Sequence, residues 1–251
     1  MSSLSPSNPT GVYHEALMYF LHEQGFNIIL ANPGKAKKYA DALNIIHKTD
    51  KSDATMLAHY GCAKHAVVNY WQPEALEIRE LKALIRRLDA LESNRQREAN
   101  RLEASEFSNV SARVCQSIKV TIAFLDDEIK QLKSDIDNHI DNEPDLKRNR
   151  KLLESIPGIG PVLSRELTYL FAAKKFNKAK EAAAYCGLIP RHNESGKLKG
   201  RTSISKLGPA RIRCKLYMAA IVAGQWNKTI KRHKLTLINN GKTPMQAVCA
   251  N

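Results

Sequence analysis

The sequence predicts a mixed α/β N-terminal segment followed by a mainly helical chain. Three observations carry that prediction. Residues 13–34 read as a helix, a short β-branched run and a turn. Residues 74–143 contain neither Gly nor Pro, and their apolar positions recur at three and four residues, the period of a helix with one buried face. Within 152–170, Ile156-Pro157-Gly158-Ile159-Gly160-Pro161 separates two apolar helical patterns.

After a Ser/Pro-rich opening from Ser2 to Pro9, Tyr13 to Gln24 spaces Leu17, Phe20 and Leu21 for a helix that stops at Gly25. Phe26 to Leu30 reads as one buried strand, closed by a turn at Ala31-Asn32-Pro33-Gly34. Lys35 to Leu43 and Ser52 to Tyr60 follow as helices, the second with Ser52 or Asp50 available as its N-cap. In the long middle, Ile78, Leu81, Leu84, Ile85, Leu88 and Leu91 form one apolar stripe. Val114, Ile118, Ile122, Leu125, Ile129, Leu132, Ile136 and Ile140 form a second, heptad-like one. A break near Ser105 to Asn109 separates the two helices. They either fold back as an antiparallel coiled coil or zip with another chain, and a plain helical spacer satisfies the same spacing. The Pro-Gly-Ile-Gly-Pro element suggests a helix-hairpin-helix, in which Gly158 and Gly160 let the backbone approach a phosphate while the second helix offers free N–H groups and its dipole. A tight interhelical turn with a purely packing role fits the same residues.

Charge separates the two parts of the chain. The 251 residues hold 39 Lys and Arg against 25 Asp and Glu, a net charge of +14. Residues 1–150 carry 20 basic and 21 acidic groups, whereas 151–251 carry 19 and 4. A segment so cationic calls for an anionic partner, nucleic acid first and an anionic membrane surface second. No run of 18 apolar residues exists, and Met1 to Pro9 has neither a basic start nor an apolar stretch, so a cytoplasmic protein with no membrane partner is expected. The five cysteines are never paired as CxxC and are expected to be reduced thiols rather than a disulfide framework or zinc knuckle. The histidines form no HExxH pattern, and no Walker loop is present. Trp71 and Trp226 stand alone and are expected to be core or interface anchors rather than base-stacking platforms.

Two constellations have chemical potential. Asp50 and Asp53 stand three residues apart where a helix is expected to start, so both carboxylates can face one side and share a Mg²⁺ whose remaining ligands are waters and substrate phosphates. Ordinary capping and dipole chemistry account for the same two residues. The stretch from Leu188 to Lys206 reads as a strongly basic loop. Twelve Lys and Arg and one acid, Glu194, lie between Arg191 and Lys234, and Arg211, Arg213 and Lys215 are expected to extend an anion-facing surface from this loop along the helix after Pro209. A serine in such surroundings is a plausible phosphoryl nucleophile, though composition does not single out Ser195 from Ser203 or Ser205.

The motifs in their order are Thr10-Gly11-Val12-Tyr13, Ala31-Asn32-Pro33, Lys48-Thr49-Asp50-Lys51-Ser52-Asp53-Ala54, a charged helical middle, Ile156 to Pro161, Ala184 to Pro190 and Glu194-Ser195-Gly196. Together they resemble the DEDD transposases of bacterial insertion sequences, the insertion-sequence 110 group. The resemblance implies a partial RuvC-like, RNase H-type α/β domain at 1–70. It further implies a coiled-coil helical insertion at 71–148, and a C-terminal transposase domain at 149–251 with a helix-hairpin-helix-like element and a serine loop. It implies an enzyme that recombines DNA, with Mg²⁺ held by four acids, a serine that forms a phosphoserine link to DNA, a structured guide RNA, nucleoid association when bound, and a homo-oligomer joined through the coiled coil. By motif, Asp50 and Asp53 match the last two acids and Ser195 the nucleophile. Charge adds Arg191, Lys197, Lys199, Arg201, Lys206 and Arg211 as candidate phosphate contacts, beside Gly158 and Gly160. The first acid has no counterpart, Asn8 stands where the second is expected, and the chain ends soon after Gly241-Lys242-Thr243-Pro244. The resemblance therefore implies a chain truncated at both ends and impaired in cleavage, with a non-catalytic nucleic-acid-binding or transposase-interacting remnant as the alternative.

Overall fold

The computed structural model describes residues 13–45, 49–64, 70–108, 111–191, 194–195, 198–199 and 202–250. They are mostly helical, and the chain divides into two compact units, 1–75 and 76–251.

In the first unit, α1 (Tyr13–Glu23) ends where Gly25 adopts φ +78°. Gly25 N–H donates to the His22 carbonyl and Phe26 N–H to that of Leu21, the paired bonds that close a helix through a left-handed residue. The next segment is extended and buried, with Ile28 and Ile29 each 1% exposed. Its β character is a single bridge at Ile28, whose carbonyl accepts from Trp71 N–H at 2.8 Å. No sheet forms among the described residues of this unit. The expected turn at Ala31–Gly34 is instead a helix start: Asn32 Oδ1 accepts from Lys35 N–H and Pro33 occupies the first position of α2 (Pro33–Ala42), where its missing N–H costs nothing. Likewise the cap of α3 (Asp50–Lys64) is neither Ser52 nor Asp50 but Thr49, because Thr49 and Ser52 each accept the other's backbone N–H, at 3.1 and 2.9 Å. Ala31, Ala36, Met56, Leu57 and Tyr60 close this small core, with Tyr39 edge-on to Tyr60 at 5.3 Å. Trp71 packs edge-on against Tyr19 and His22, the anchoring role expected of it.

In the second unit, α4 (Leu76–Phe107) and α5 (Ala112–Asn142) fold back on each other. The cross-helix ion pairs Glu92–Lys133, Arg95–Asp126 and Glu106–Lys119 step in opposite directions along the two helices, which makes the pair antiparallel. Leu81, Ile85, Leu88 and Leu91 bury against Leu125, Ile129, Ile136 and Ile140, so the predicted stripes are the seam. The seam is packed only at its root. Beyond Leu91 the α4 side turns polar at Asn94, Glu98 and Arg101, and Val114 at the far end of the α5 stripe is exposed.

Past α6 (Pro144–Glu154), α7 (Pro161–Ala173) is the central helix, buried from Leu163 to Thr168 and including Arg165 and Glu166. Around it pack α4, α6, Cys186, which follows α8 (Ala179–Tyr185), and α9 (Ala210–Trp226). Two further helices, α10 (Lys228–Asn239) and α11 (Pro244–Cys249), complete the unit, the last started by a capping box between Thr243 and Gln246.

Candidate nucleic-acid interface

The stretch expected as a loop is a nested pair of antiparallel ladders. β1 (Pro190–Arg191) pairs with β4 (Ser203–Ile204), and inside it β2 (Glu194–Ser195) pairs with β3 (Leu198–Lys199). Ser195 stands opposite Leu198, and Glu194 opposite Lys199. Ladder hydrogen bonds therefore hold the Ser195 backbone, whereas Ser203 and Ser205 lie at the root, where Ser205 N–H donates to the Ile189 carbonyl.

The root is unusually tight. Gly187 sits at φ +69°, and Gly208 is pressed so close to the Tyr185 carbonyl oxygen that a Cβ there would collide with it. One Arg213 guanidinium nitrogen donates to both the Cys186 carbonyl at 3.0 Å and the Gly208 carbonyl at 3.1 Å, tying the entering and leaving strands to α9. Burial of Cys186 raises its thiol pKa, with Arg213 partly opposing the shift.

The two candidate glycines between α6 and α7 differ in kind. Gly158, at φ +102°, lies against α9: a Cβ would stand 2.7 Å from the Ala219 carbonyl oxygen and 3.2 Å from Ala223. That is a packing glycine. Gly160 faces open space and caps α7. Pro161 has no N–H, and Leu163 and Ser164 already donate to the Gly160 carbonyl, so Val162 alone of these offers an amide with no acceptor among the described residues, rather than the full set expected.

The basic residues also divide. Arg191 and Lys206 are exposed, Lys206 at φ +56°. Lys199 lies on the inner ladder, and Lys197 and Arg201 lie outside the described residues. Arg211, however, is ion-paired with Asp89 of α4 and Glu166 of α7, and Lys215 reaches the same Glu166 oxygen at 2.6 Å. Burial pushes the Arg211 pKa down. With Arg213 spent on the hairpin root, the expected extension of the anion surface through Arg211, Arg213 and Lys215 is corrected: all three are turned to internal acceptors. Glu166, 3% exposed, needs them, since an unpaired buried carboxylate is strongly unfavourable.

A second network escaped sequence reasoning. Arg165 grips Asp137 of α5 bidentately at 2.9 and 2.6 Å, and Arg150 bridges Asp137 to Glu154, which also accepts from Ser164 Oγ at 2.7 Å. These bonds tie α5, α6 and α7 around the 155–160 turn. The Arg165 hydrogen bonds, opposed by desolvation, hold the Asp137 carboxyl below its ordinary pKa. A polar residue mid-helix gives no sequence signal for such a partner.

Asp50 and Asp53 lie in the other unit, one turn apart at the start of α3, with Asp50 exposed and Asp53 half-buried. Because Thr49 and Ser52 cap the helix, neither carboxylate is needed for that role, and neither has a hydrogen-bond or ion-pair partner among the described residues. Such a pair fits a divalent cation that draws its other ligands from water and phosphate. No group of three His, Cys, Asp or Glu suited to a metal occurs among the described residues. Nor is any described helix long and apolar enough to cross a membrane.

Comparison with known proteins gives concordant matches. A family model described as "Transposase IS116/IS110/IS902 family" matches residues 150–234, and a DEDD-type model described as "Transposase" matches residues 6–105. The "Pilin gene-inverting protein" of Moraxella bovis is 32% identical over 248 residues, covering 96% of this chain and 74% of the relative. The protein of the same description from Moraxella lacunata is similar to the same extent.

Proposed function

The chain belongs to the IS110-type family of insertion-sequence transposases, proteins of DNA recombination, and from that premise we propose that it binds DNA through its second unit and breaks and rejoins strands through Ser195. The observation that carries this reading is the placement of Ser195 in an inner ladder whose root is pinned by Gly187, Gly208 and Arg213. A nucleophile must be held still to be effective. In the step proposed, Ser195 Oγ bonds to phosphorus as one phosphodiester P–O bond breaks. The hydroxyl proton passes to the departing deoxyribose oxygen, and the phosphodiester count is conserved when a second deoxyribose hydroxyl reverses the exchange. Arg191, Lys197, Lys199, Arg201 and Lys206 supply phosphate contacts around it, with Gly160 at the α7 start as a further backbone approach; Gly158 supports that turn by packing.

The family's divalent metal is taken to be Mg²⁺, with Asp50 and Asp53 as ligands in an RNase H-like first domain; it would polarise a phosphoryl oxygen. The boundaries 1–70, 71–148 and 149–251 remain the proposed domains, with α4 and α5 as a coiled coil that joins copies of the chain, α6 and α7 as a helix-hairpin-helix element, and a structured guide RNA as a second nucleic-acid partner.

The test is covalent-adduct formation on a donor-junction DNA with Mg²⁺ and the element's RNA, comparing the chain with Ser195→Ala. A Ser195-dependent protein–DNA adduct is expected. Salt-sensitive DNA binding with no adduct would replace this reading with the second one, a binding-competent, non-catalytic subunit. That alternative is favoured by Asn8, a neutral amide where the resemblance leads one to expect the second acid.

A further inference from the structure

The exposed face of α9 is apolar. Cys214, Met218, Val222 and Trp226 follow one another at four-residue intervals and all are exposed, Met218 at 57% and Trp226 at 76%. They make a slowly winding stripe about 18 Å long at 1.5 Å per residue. Of the two roles expected for Trp226, core or interface anchor, its exposure removes the first, and its ring meets no other ring among the described residues. The stripe ends beside cations. After the single residue Asn227, α10 opens with Lys228 and Lys231, followed by Arg232; all three are exposed and none is ion-paired among the described residues. Lys234 packs over Gly224, its Cδ within 3.3 Å of where a Cβ would stand, which folds α10 back along α9 and keeps these cations beside the Trp226 end.

Two physical features identify the occupant. Lysines in the first turn of a helix oppose its dipole, so this arrangement is unfavourable until an anion lies against it. Lys228, Lys231 and Arg232 have no acid paired with them among the described residues, so a second copy docking two-fold through this same face would set these cations against their own counterparts. An unpaired nucleic-acid strand satisfies both demands: its bases stack on an indole and slide over apolar side chains while its phosphates meet the lysines.

We infer that the α9 stripe ending in Trp226, with Lys228, Lys231 and Arg232, is a binding platform for single-stranded DNA. The inference rests on the proposed DNA-binding role and adds to it a site for a melted strand, separate from the Ser195 hairpin. Duplex DNA buries its base faces and gains nothing from Trp226.

The test titrates the full chain with oligo(dT) and with a blunt duplex, following tryptophan emission and fluorescence anisotropy. Oligo(dT) is expected to quench the emission. Trp226→Ala is expected to weaken oligo(dT) binding about 10-fold, removing most of the quench, with duplex affinity changed less than about 2-fold. Trp226→Phe should recover most of the affinity, since an aromatic face remains. The side chain is exposed, so an unaltered thermal midpoint confirms that the variants fold. Lys228→Ala with Lys231→Ala should weaken oligo(dT) and lower its salt slope by about 1.4. If Trp226→Ala leaves oligo(dT) affinity within about 2-fold while the duplex binds normally, this platform is refuted and the DNA-binding reading stands. If neither DNA binds, both fail. Emission changes that track protein concentration alone, or that need anionic vesicles rather than DNA, overturn the platform in favour of self-association or a lipid surface.

Discussion

Asp137→Asn probes the joint that holds the 155–160 turn. The substitution keeps the side chain's shape but removes its charge and turns one oxygen facing Arg165 into an N–H donor. Arg165, whose side chain is 11% exposed, is then left without its carboxylate. Breaking a buried ion pair from one side costs about 3–5 kcal/mol. Asp137 retains 31% side-chain exposure, so solvent screening brings the expected cost to about 2–4 kcal/mol. For a unit of this size each kcal/mol moves the midpoint by about 2–4 °C, which predicts a loss of about 4–16 °C in calorimetry or far-UV circular dichroism. Replacing both partners, Asp137→Leu with Arg165→Met, should recover much of that loss, because no buried charge remains unpaired. A shift under about 2 °C for Asp137→Asn, or a double variant worse than the single, would refute the assignment. The sign of the pH dependence is fixed as well. The folded pKa of Asp137 lies below its ordinary 3.8, so its contribution is complete above that value and fades as pH falls through the folded value. The gap in midpoint between the natural chain and Asp137→Asn must therefore narrow on acidification; a gap that widens contradicts the pairing.

Other positions give sharper contrasts. Gly158→Ala forces a Cβ onto the Ala219 carbonyl at positive φ and should cost about 2–4 kcal/mol in chemical denaturation, whereas Gly160→Ala meets open space and should cost under about 1 kcal/mol. Gly208→Ala should dismantle the hairpin root while the α4–α5 pair persists, seen as loss of amide protection confined to residues near 187–208 in hydrogen exchange. Arg211→Ala should lower thermal stability, since it strips Glu166 and Asp89 of a partner, yet change the salt slope of DNA binding by less than Lys206→Ala does. Thr49→Ala removes half of the reciprocal cap on α3 and should cost the first unit about 1 kcal/mol in a denaturant melt.

What could be read from the sequence follows from the range of each signal. The α4 and α5 stripes were legible because burial on a helix imposes a period: from Leu81 to Leu91 and from Leu125 to Ile140 the residues named from that period are those in the seam, whereas Val114, at the far end of the same stripe, is exposed. Gly25 as a stop was legible because only a residue tolerant of positive φ closes a helix that way. Asn32-Pro33 is ambiguous in sequence because the same two residues favour a turn and a helix start, and only the apolar face of α2 packing on α3 separates them. The basic segment shows the limit most clearly. Arg211 and Arg191 are equivalent in a charge count, but the acids that neutralise Arg211 lie 122 and 45 residues earlier in the chain, on α4 and α7. A local count cannot register pairing over that distance. It therefore overstates the anion-facing charge on α9 and gives Lys228, Lys231 and Arg232, which have no acid in the 33 residues before Lys228, no more weight than the paired cations counted with them. The useful quantity at a nucleic-acid surface is the cation left over after folding has used its share, and that is a property of packing.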